Sequence, residues 1–250
     1  MSLFSNLFHN PFKHKTIGVF YICTGKYHIF WDEFYRSAEK YFCPGNPKQY
    51  FVFTDAEMPD MPSNVKVIFQ ERLGWPDDTL KRFHIFQKAY PYLSGVDYLF
   101  FFNANMSFRN KVRPAEMLPT DTQGLVGVIH PYYYEGPSNA PLETNPASTA
   151  FVQLERVQHY LQGCLNGGTK SAYIEMVDTL RQRVDEDEAA GLMAIWHDES
   201  QLNRYMAEKG GYKVLHPGFA KSEGRTGFPF KERIVQLDKS KFGGHHFLRS

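Results

Sequence analysis

The sequence predicts an α/β fold, a single domain on a mostly parallel, doubly wound sheet flanked by helices. Three observations carry this. Short apolar runs, rich in β-branched and aromatic residues, alternate with longer helical patterns over the first 130 residues. Polar residues follow those runs, and in such sheets ligands bind beyond the carboxyl ends of the strands. No repeat, low-complexity tract or linker divides the 250 residues, a length that one domain with a sizeable core accommodates.

Each element has its own signal. Residues 16–23, Thr-Ile-Gly-Val-Phe-Tyr-Ile-Cys, carry no charge and read as a buried strand. Thr24-Gly25-Lys26 makes a turn, and 27–42 reads as a helix with its aromatics on one side. Strands follow at 50–54, ending at Asp55, and at 65–69. A helix is expected over 79–90, with Thr79 as N-cap after Pro76-Asp77-Asp78. Residues 97–102 form a strongly apolar strand that runs straight into Asn103-Ala104-Asn105, and 124–130 is another strand. The stretch 131–146, rich in Pro, Tyr, Asn and Gly, reads as a long surface loop, and such loops are often functional. Helices are expected over 169–184 and 188–209, and the tail after Gly210 reads as irregular and basic.

Composition narrows the class. Apolar residues at 42% and charged residues at 22% are ordinary for a globular chain. The 16% aromatic share fits a Phe/Tyr-rich core or a sugar-binding cleft. A formal net charge of +1 supplies no long-range field toward nucleic acid. Cys23, Cys43 and Cys164 lack metal spacing and do not make a disulfide framework, which suits a reducing cytosol. No stretch approaches 18 uninterrupted apolar residues, so no transmembrane helix is expected. In residues 1–15 the basic residues follow the apolar ones, the reverse of a secretory signal. They read as an N-terminal arm, or as a membrane-surface contact through Phe4, Leu7, Phe8 and Phe12 beside Lys13 and Lys15.

Several clusters bear chemistry. Asn103-Ala104-Asn105 reads as a turn or as a ligand site. Neutral amides are poor ligands for Mg²⁺ or Mn²⁺, so a diphosphate there would rely on hydrogen bonds and basic residues. Trp196-His197-Asp198-Glu199-Ser200 sets two carboxylates beside an imidazole, mid-helix or at a helix start. Adjacent helical residues lie about 100° apart, so the two carboxylates are not expected to share a face. They read either as a solvated face or as a site in which Glu199 stabilises an oxocarbenium-like centre and Asp198 holds sugar hydroxyls. Gly163-Cys164-Leu165-Asn166-Gly167-Gly168 reads as a glycine turn before a helix, or as a place where a ligand approaches the backbone. Lys81 and Arg82 are candidate phosphate partners, as are the tail residues Lys239, Lys241 and Arg249. His130, before Pro131, is a candidate sugar contact or a capped turn.

Together these residues resemble glycosyltransferase family 6, which includes the ABO blood-group transferases and the α1,3-galactosyltransferases. The resemblance runs from about Thr16 to the tail. It rests on Phe51-Val52-Phe53-Thr54-Asp55, Trp75 with Leu80-Lys81-Arg82, Asp97-Tyr98-Leu99, Ile129-His130-Pro131, Asn166-Gly167-Gly168 and Trp196-His197-Asp198-Glu199-Ser200 followed by Leu202-Asn203. It implies a GT-A type, Rossmann-like sheet in a domain over 16–250. A UDP-binding half spans 16–130, an acceptor and catalytic half 131–235, and a basic tail 236–250. Ile22, Thr24 and Tyr27 would line the uridine pocket, and Arg82 would contact the donor diphosphate or sugar. Asn103 and Asn105 stand where animal members carry an Asp-x-Asp metal motif, and Asn-x-Asn looks like the metal-independent bacterial members. His130 and Trp196 match acceptor contacts, Asp198 a donor-sugar contact, and Glu199 the nucleophile or electrostatic support of a retaining transfer. Lys239 would reach the diphosphate. Gln162-Gly163-Cys164 matches the donor-selecting stretch, where Cys164 favours galactose over N-acetylgalactosamine.

The implied activity is metal-free α1,3-transfer from a UDP-sugar to a β-galactoside on an oligosaccharide or glycolipid, including fucosylated forms as in the H antigen. No cofactor is implied beyond the UDP-sugar substrate, and the expected location is the cytoplasm or the inner membrane face. A non-catalytic UDP-sugar or glycan-binding module and a UDP-sugar hydrolase are the alternatives. The family's Tyr-Glu-Arg-Arg is replaced here by Leu142-Glu143-Thr144-Asn145, a departure in an acceptor-side loop.

Overall fold

Uncharged β-branched and aromatic runs bury completely when both faces of a sheet are covered. The first such run forms β1 (Ile17–Ile22), whose first five residues are buried. The computed structural model describes residues 11–227 and 229–249. A short 3₁₀ turn precedes α1 (Trp31–Tyr41), then come β2 (Lys48–Thr54) and β3 (Val65–Phe69). The helix expected over 79–90 begins earlier and breaks at Lys81 into α2 (Asp77–Leu80) and α3 (Arg82–Gln87). Thr79 is therefore not an N-cap: its hydroxyl donates to the Pro76 carbonyl at 2.9 Å. The apolar run at 97–102 is β4 (Tyr98–Asn103), followed by β5 (Met106–Phe108), α4 (Pro114–Met117) and β6 (Leu125–Ile129).

Beyond residue 130 the structure departs further from expectation. No helix or strand forms between 130 and 153, as the loop reading anticipates. The glycine-rich run at 163–168 is not a turn but the middle of β7 (Leu161–Thr169). That strand pairs antiparallel with β4 on one side and β6 on the other. A Cβ on Gly167 would overlap the Phe100 ring and the Leu99 carbonyl, so this strand passes β4 only with glycine there. The helix α5 runs Lys170–Ala189, longer than expected, and the helix expected over 188–209 is interrupted. Residues 190–197 leave the helix through Gly191 at φ +70, and α6 (Asp198–Lys209) starts afresh. The tail is structured as well: β8 (Lys213–Leu215), β9 (Lys221–Ser222), β10 (Ile234–Gln236) and α7 (Gly244–Leu248) follow in order.

The central sheet has the order β3-β2-β1-β4-β7-β6-β8, and β5, β10 and β9 form a small second sheet. The pairs β3·β2, β2·β1, β1·β4 and β6·β8 are parallel, which makes the sheet mostly parallel with β7 as the exception. One core layer packs α1 and the small sheet against the sheet, and the other packs α3, α5 and α6. The arm is docked from residue 11 on. Phe12 is buried against Tyr98, the Asn46 amide donates to the Phe12 carbonyl, and Lys15 pairs with Asp97 at 3.1 Å. The proposed contacts of Phe4, Leu7 and Phe8 lie outside the described residues.

Candidate active site

The parallel register sets Ile22 beside Asn103, so β1 and β4 end together. A cavity of about 130 Å³ opens there, lined by Ile22, Thr24, Tyr27, Trp75, Arg82, Asn103, Asn105, Lys239 and Arg249, among others. A second, of about 240 Å³, is lined by Gln162, Gly163, Cys164, Trp196, His197, Asp198, Glu199 and Gln236. Trp75, Thr79, Arg82 and Asn103 line both, which makes them one cleft. Thirteen of the fourteen residues to which the family resemblance gives a site role thus meet in one place, together with Arg249, whereas Lys81 and Lys241 do not line it. His130 lies just outside, at the end of β6, against Tyr132, Tyr133 and Tyr160.

Arg82 is the hub. It is buried, with only 4% of its surface exposed. Its Nη1 donates to the Gly163 carbonyl at 2.9 Å and pairs with Asp198 Oδ2 at 3.0 Å, and its Nε donates to the Thr79 carbonyl. The guanidinium lies 4.6 Å from the Phe101 ring centroid. A single arginine therefore ties α3 to β7 and to the start of α6. Such a buried pair tolerates the loss of neither partner.

The two carboxylates converge after all. His197 takes φ 52, ψ −121, a strained backbone for a non-glycine residue. This turns the chain into α6 with Asp198 and Glu199 in its first turn. Both reach Gly163: a Cβ there would lie 3.0 Å from Asp198 Oδ2 and 3.3 Å from Glu199 Cβ. The two side chains are not held on separate faces because they sit at a helix start, beside a strand position, Gly163, without a side chain to hold them apart. The Gly163 N–H donates to Glu199 Oε2 at 2.7 Å, and the Tyr160 hydroxyl donates to Glu199 Oε1 at 2.8 Å. Asn203 locks the same helix to β7 through both the N–H and the carbonyl of Leu161.

Burial pushes Asp198 up to about 7; Arg82 opposes the rise and Glu199 adds to it. Burial also raises Glu199, against the hydrogen bonds from Gly163 and Tyr160. At the other end, burial lowers Lys239 to about 8, with Arg249 adding to the shift. Burial and then Arg225 lower His130 to about 4. His130 Nδ1 accepts from the Tyr132 N–H, so the neutral ring carries its proton on Nε2, where it can donate.

Asn105 lines the cleft and also ties down the tail. Its Nδ2 donates to the Leu237 carbonyl, so that nitrogen faces the tail. A divalent cation prefers anionic oxygen, whereas the side chains of residues 103–105 offer only two neutral amide oxygens. This donor set does not fit such an ion. Among the described residues no three His, Cys, Asp or Glu side chains are grouped to hold a metal. The three cysteines are free and buried, and Cys164 lies on the cleft wall.

Tyr160, Trp75 and Gln236 are site residues that the local sequence did not mark by their chemistry. Tyr160 stands just before β7 in no motif of its own, and only the fold brings its hydroxyl to Glu199. Glu143, in the loop that departs from the family pattern, accepts from the N–H groups of Asn145 and Ile195. It thereby braces the loop that leads into Trp196.

The model of glycosyltransferase family 6 matches residues 3–247 of the chain. The chain is 38% identical over 192 residues to the O-antigen biosynthesis glycosyltransferase WbnI of Escherichia coli, covering 76% of this chain and 81% of that protein. It is 34% identical to the human globoside alpha-1,3-N-acetylgalactosaminyltransferase 1, over 82% of this chain and 60% of that one. It is 29% identical to the rat histo-blood group ABO system transferase 2, over 91% and 71%.

Proposed function

The chain belongs to glycosyltransferase family 6, and from that premise we propose that it is a retaining, metal-independent α1,3-hexosyltransferase. It moves galactose, or N-acetylgalactosamine, from a UDP-sugar onto a β-galactoside. The observation that carries this reading is the polarity of the cleft. Lys239 and Arg249 line one end, Asp198 and Glu199 the other, and buried Arg82 stands where the two cavities join. Leaving diphosphate and developing oxocarbenium charge ask for that order of charges.

In this reading Ile22, Thr24 and Tyr27 take the nucleoside, and Lys239, Arg249 and the Asn103 amide take the diphosphate. The bond between the anomeric carbon and the diphosphate oxygen breaks, with its electron pair leaving on UDP. Glu199, fixed by Gly163 and Tyr160, supports the positive ring carbon from below. The acceptor's 3-hydroxyl adds on the face UDP leaves, and its proton passes to the departing diphosphate. His130 and Trp196 hold the acceptor. The Cys164 side chain occupies room that an N-acetyl group would need, which favours galactose; one such group is worth only about 1–3 kcal/mol of discrimination, so both donors are expected to react.

Among the described residues no helix is long and apolar enough to cross a membrane. We place the reaction in the cytoplasm, with a glycolipid or oligosaccharide acceptor. The test is a screen of UDP-galactose and UDP-N-acetylgalactosamine against lactose and 2′-fucosyllactose, with linkage analysis. An α1,3-linked product is expected. Binding of UDP-sugar without transfer would instead reveal a binding module, and release of free sugar a hydrolase.

A further inference from the structure

We propose that Gln236 is a positioning residue for donor recognition, acting through Gln162; the inference rests on the cleft being a UDP-sugar site. Gln236 ends β10 in the small sheet, while Gln162 lies at the start of β7 in the central one. Gln236 Nε2 donates to the Ala220 carbonyl at 3.0 Å and to Gln162 Oε1 at 3.2 Å. The backbone carbonyl fixes the polarity of this relay. It only accepts, so the Gln236 atom facing it is the nitrogen. The second hydrogen of that nitrogen goes to Gln162, whose facing atom must be oxygen. The Gln162 Nε2 is thereby left to present its two hydrogens elsewhere.

Both glutamines line the cavity that holds Cys164, Asp198 and Glu199. The wall they form is therefore a donor, and it selects a sugar bearing an oxygen acceptor at that point, a hydroxyl or an acyl carbonyl. Without Gln236 nothing in this relay prevents the Gln162 amide from turning over and presenting its oxygen instead. A small sheet built from the tail thus sets the hydrogen-bond polarity of a residue in the central sheet.

The test uses the full chain with lactose as acceptor and UDP-galactose or its deoxy and deoxyfluoro analogues at positions 2, 3, 4 and 6 as donors. A hydroxyl can bond either end of an amide, whereas fluorine only accepts, so the fluoro-to-deoxy ratio of kcat/KM at each position reads the polarity of the wall. In the wild type, fluorine is expected to outperform hydrogen at one particular position, severalfold relative to the other positions. Gln236→Glu keeps the shape but cannot donate to Ala220 or Gln162, so Gln162 turns its nitrogen to the new carboxylate and its oxygen to the sugar, and that advantage of fluorine should vanish. Gln162→Leu should remove the same advantage, and adding Gln236→Glu to it should change the ratio no further. A fluoro-to-deoxy ratio unchanged at every position in Gln236→Glu overturns the positioning role while leaving the transferase reading intact. Absence of transfer by the wild type from every donor overturns the transferase reading, and this inference with it.

Discussion

The side-chain amide of Asn105 donates to the Leu237 carbonyl at 2.8 Å, and the Leu237 N–H donates back to the Asn105 carbonyl at 2.7 Å. The turn after β4 thus grips the segment that carries Lys239, two residues on. Asn105→Asp keeps the shape, loses the donor and sets a carboxylate against a carbonyl. The expected result is UDP affinity weaker by about tenfold, the scale of one unmade buried hydrogen bond, measured by titration calorimetry. Unchanged UDP affinity would show that the clamp does not govern the basic tail.

In the proposed mechanism residues 103–105 offer amides rather than carboxylates, and the departing diphosphate is left to Lys239, Arg249 and the Asn103 amide. Transfer is expected to continue at its full rate in excess EDTA, and added Mn²⁺ to leave it unchanged. Loss on chelation with recovery on Mn²⁺ would contradict the metal-independent reading.

Tyr160 fixes one oxygen of Glu199 while Gly163 fixes the other. Tyr160→Phe leaves the ring packed on His130 and removes only the hydroxyl. kcat should fall about tenfold, as for a lost hydrogen bond to a charged group, with little change in KM for the donor. A rise in KM at constant kcat would assign Tyr160 to ground-state binding instead.

The pH profile follows from two shifted groups. Asp198 is raised from its ordinary 3.8 to about 7, so below that pH the protonated acid predominates and its pairing with Arg82 is lost. Lys239 is lowered from 10.5 to about 8, so above that pH its cation is lost. Transfer should therefore rise with pH through about 7 and fall through about 8, a narrow bell. Lys239→Gln should flatten the alkaline limb at a lower rate, and Asp198→Asn the acid limb. Stability runs opposite to the acid limb. Folding holds a proton on Asp198 that the unfolded chain releases near 3.8, so this stabilisation is full below that pH and lost as pH climbs through about 7.

The strands of the first half were legible because burial on both faces demands uninterrupted apolar runs, as at Phe100–Phe102. The run 163–168 was not, because glycine's turn preference is a local signal, and here it answers a distant need to pass the Phe100 ring. The break at 190–197 was hidden in the same way. Only Gly191 marks it locally, while Asp187 holds the distant Ser148, Thr149 and Gln201 in place. The site residues themselves were read from motifs. What could not be read was how they share their hydrogen bonds, since Asn105 meets a residue 132 positions away and Arg82 meets Gly163 across 81.

The most direct test of the account is transfer by Glu199→Gln, measured beside UDP binding in the same preparation. Transfer should fall by several orders of magnitude while UDP affinity stays near the wild-type value, because Glu199 lines the cavity assigned to the sugar and not the one assigned to UDP. Near-normal turnover in that variant would contradict it.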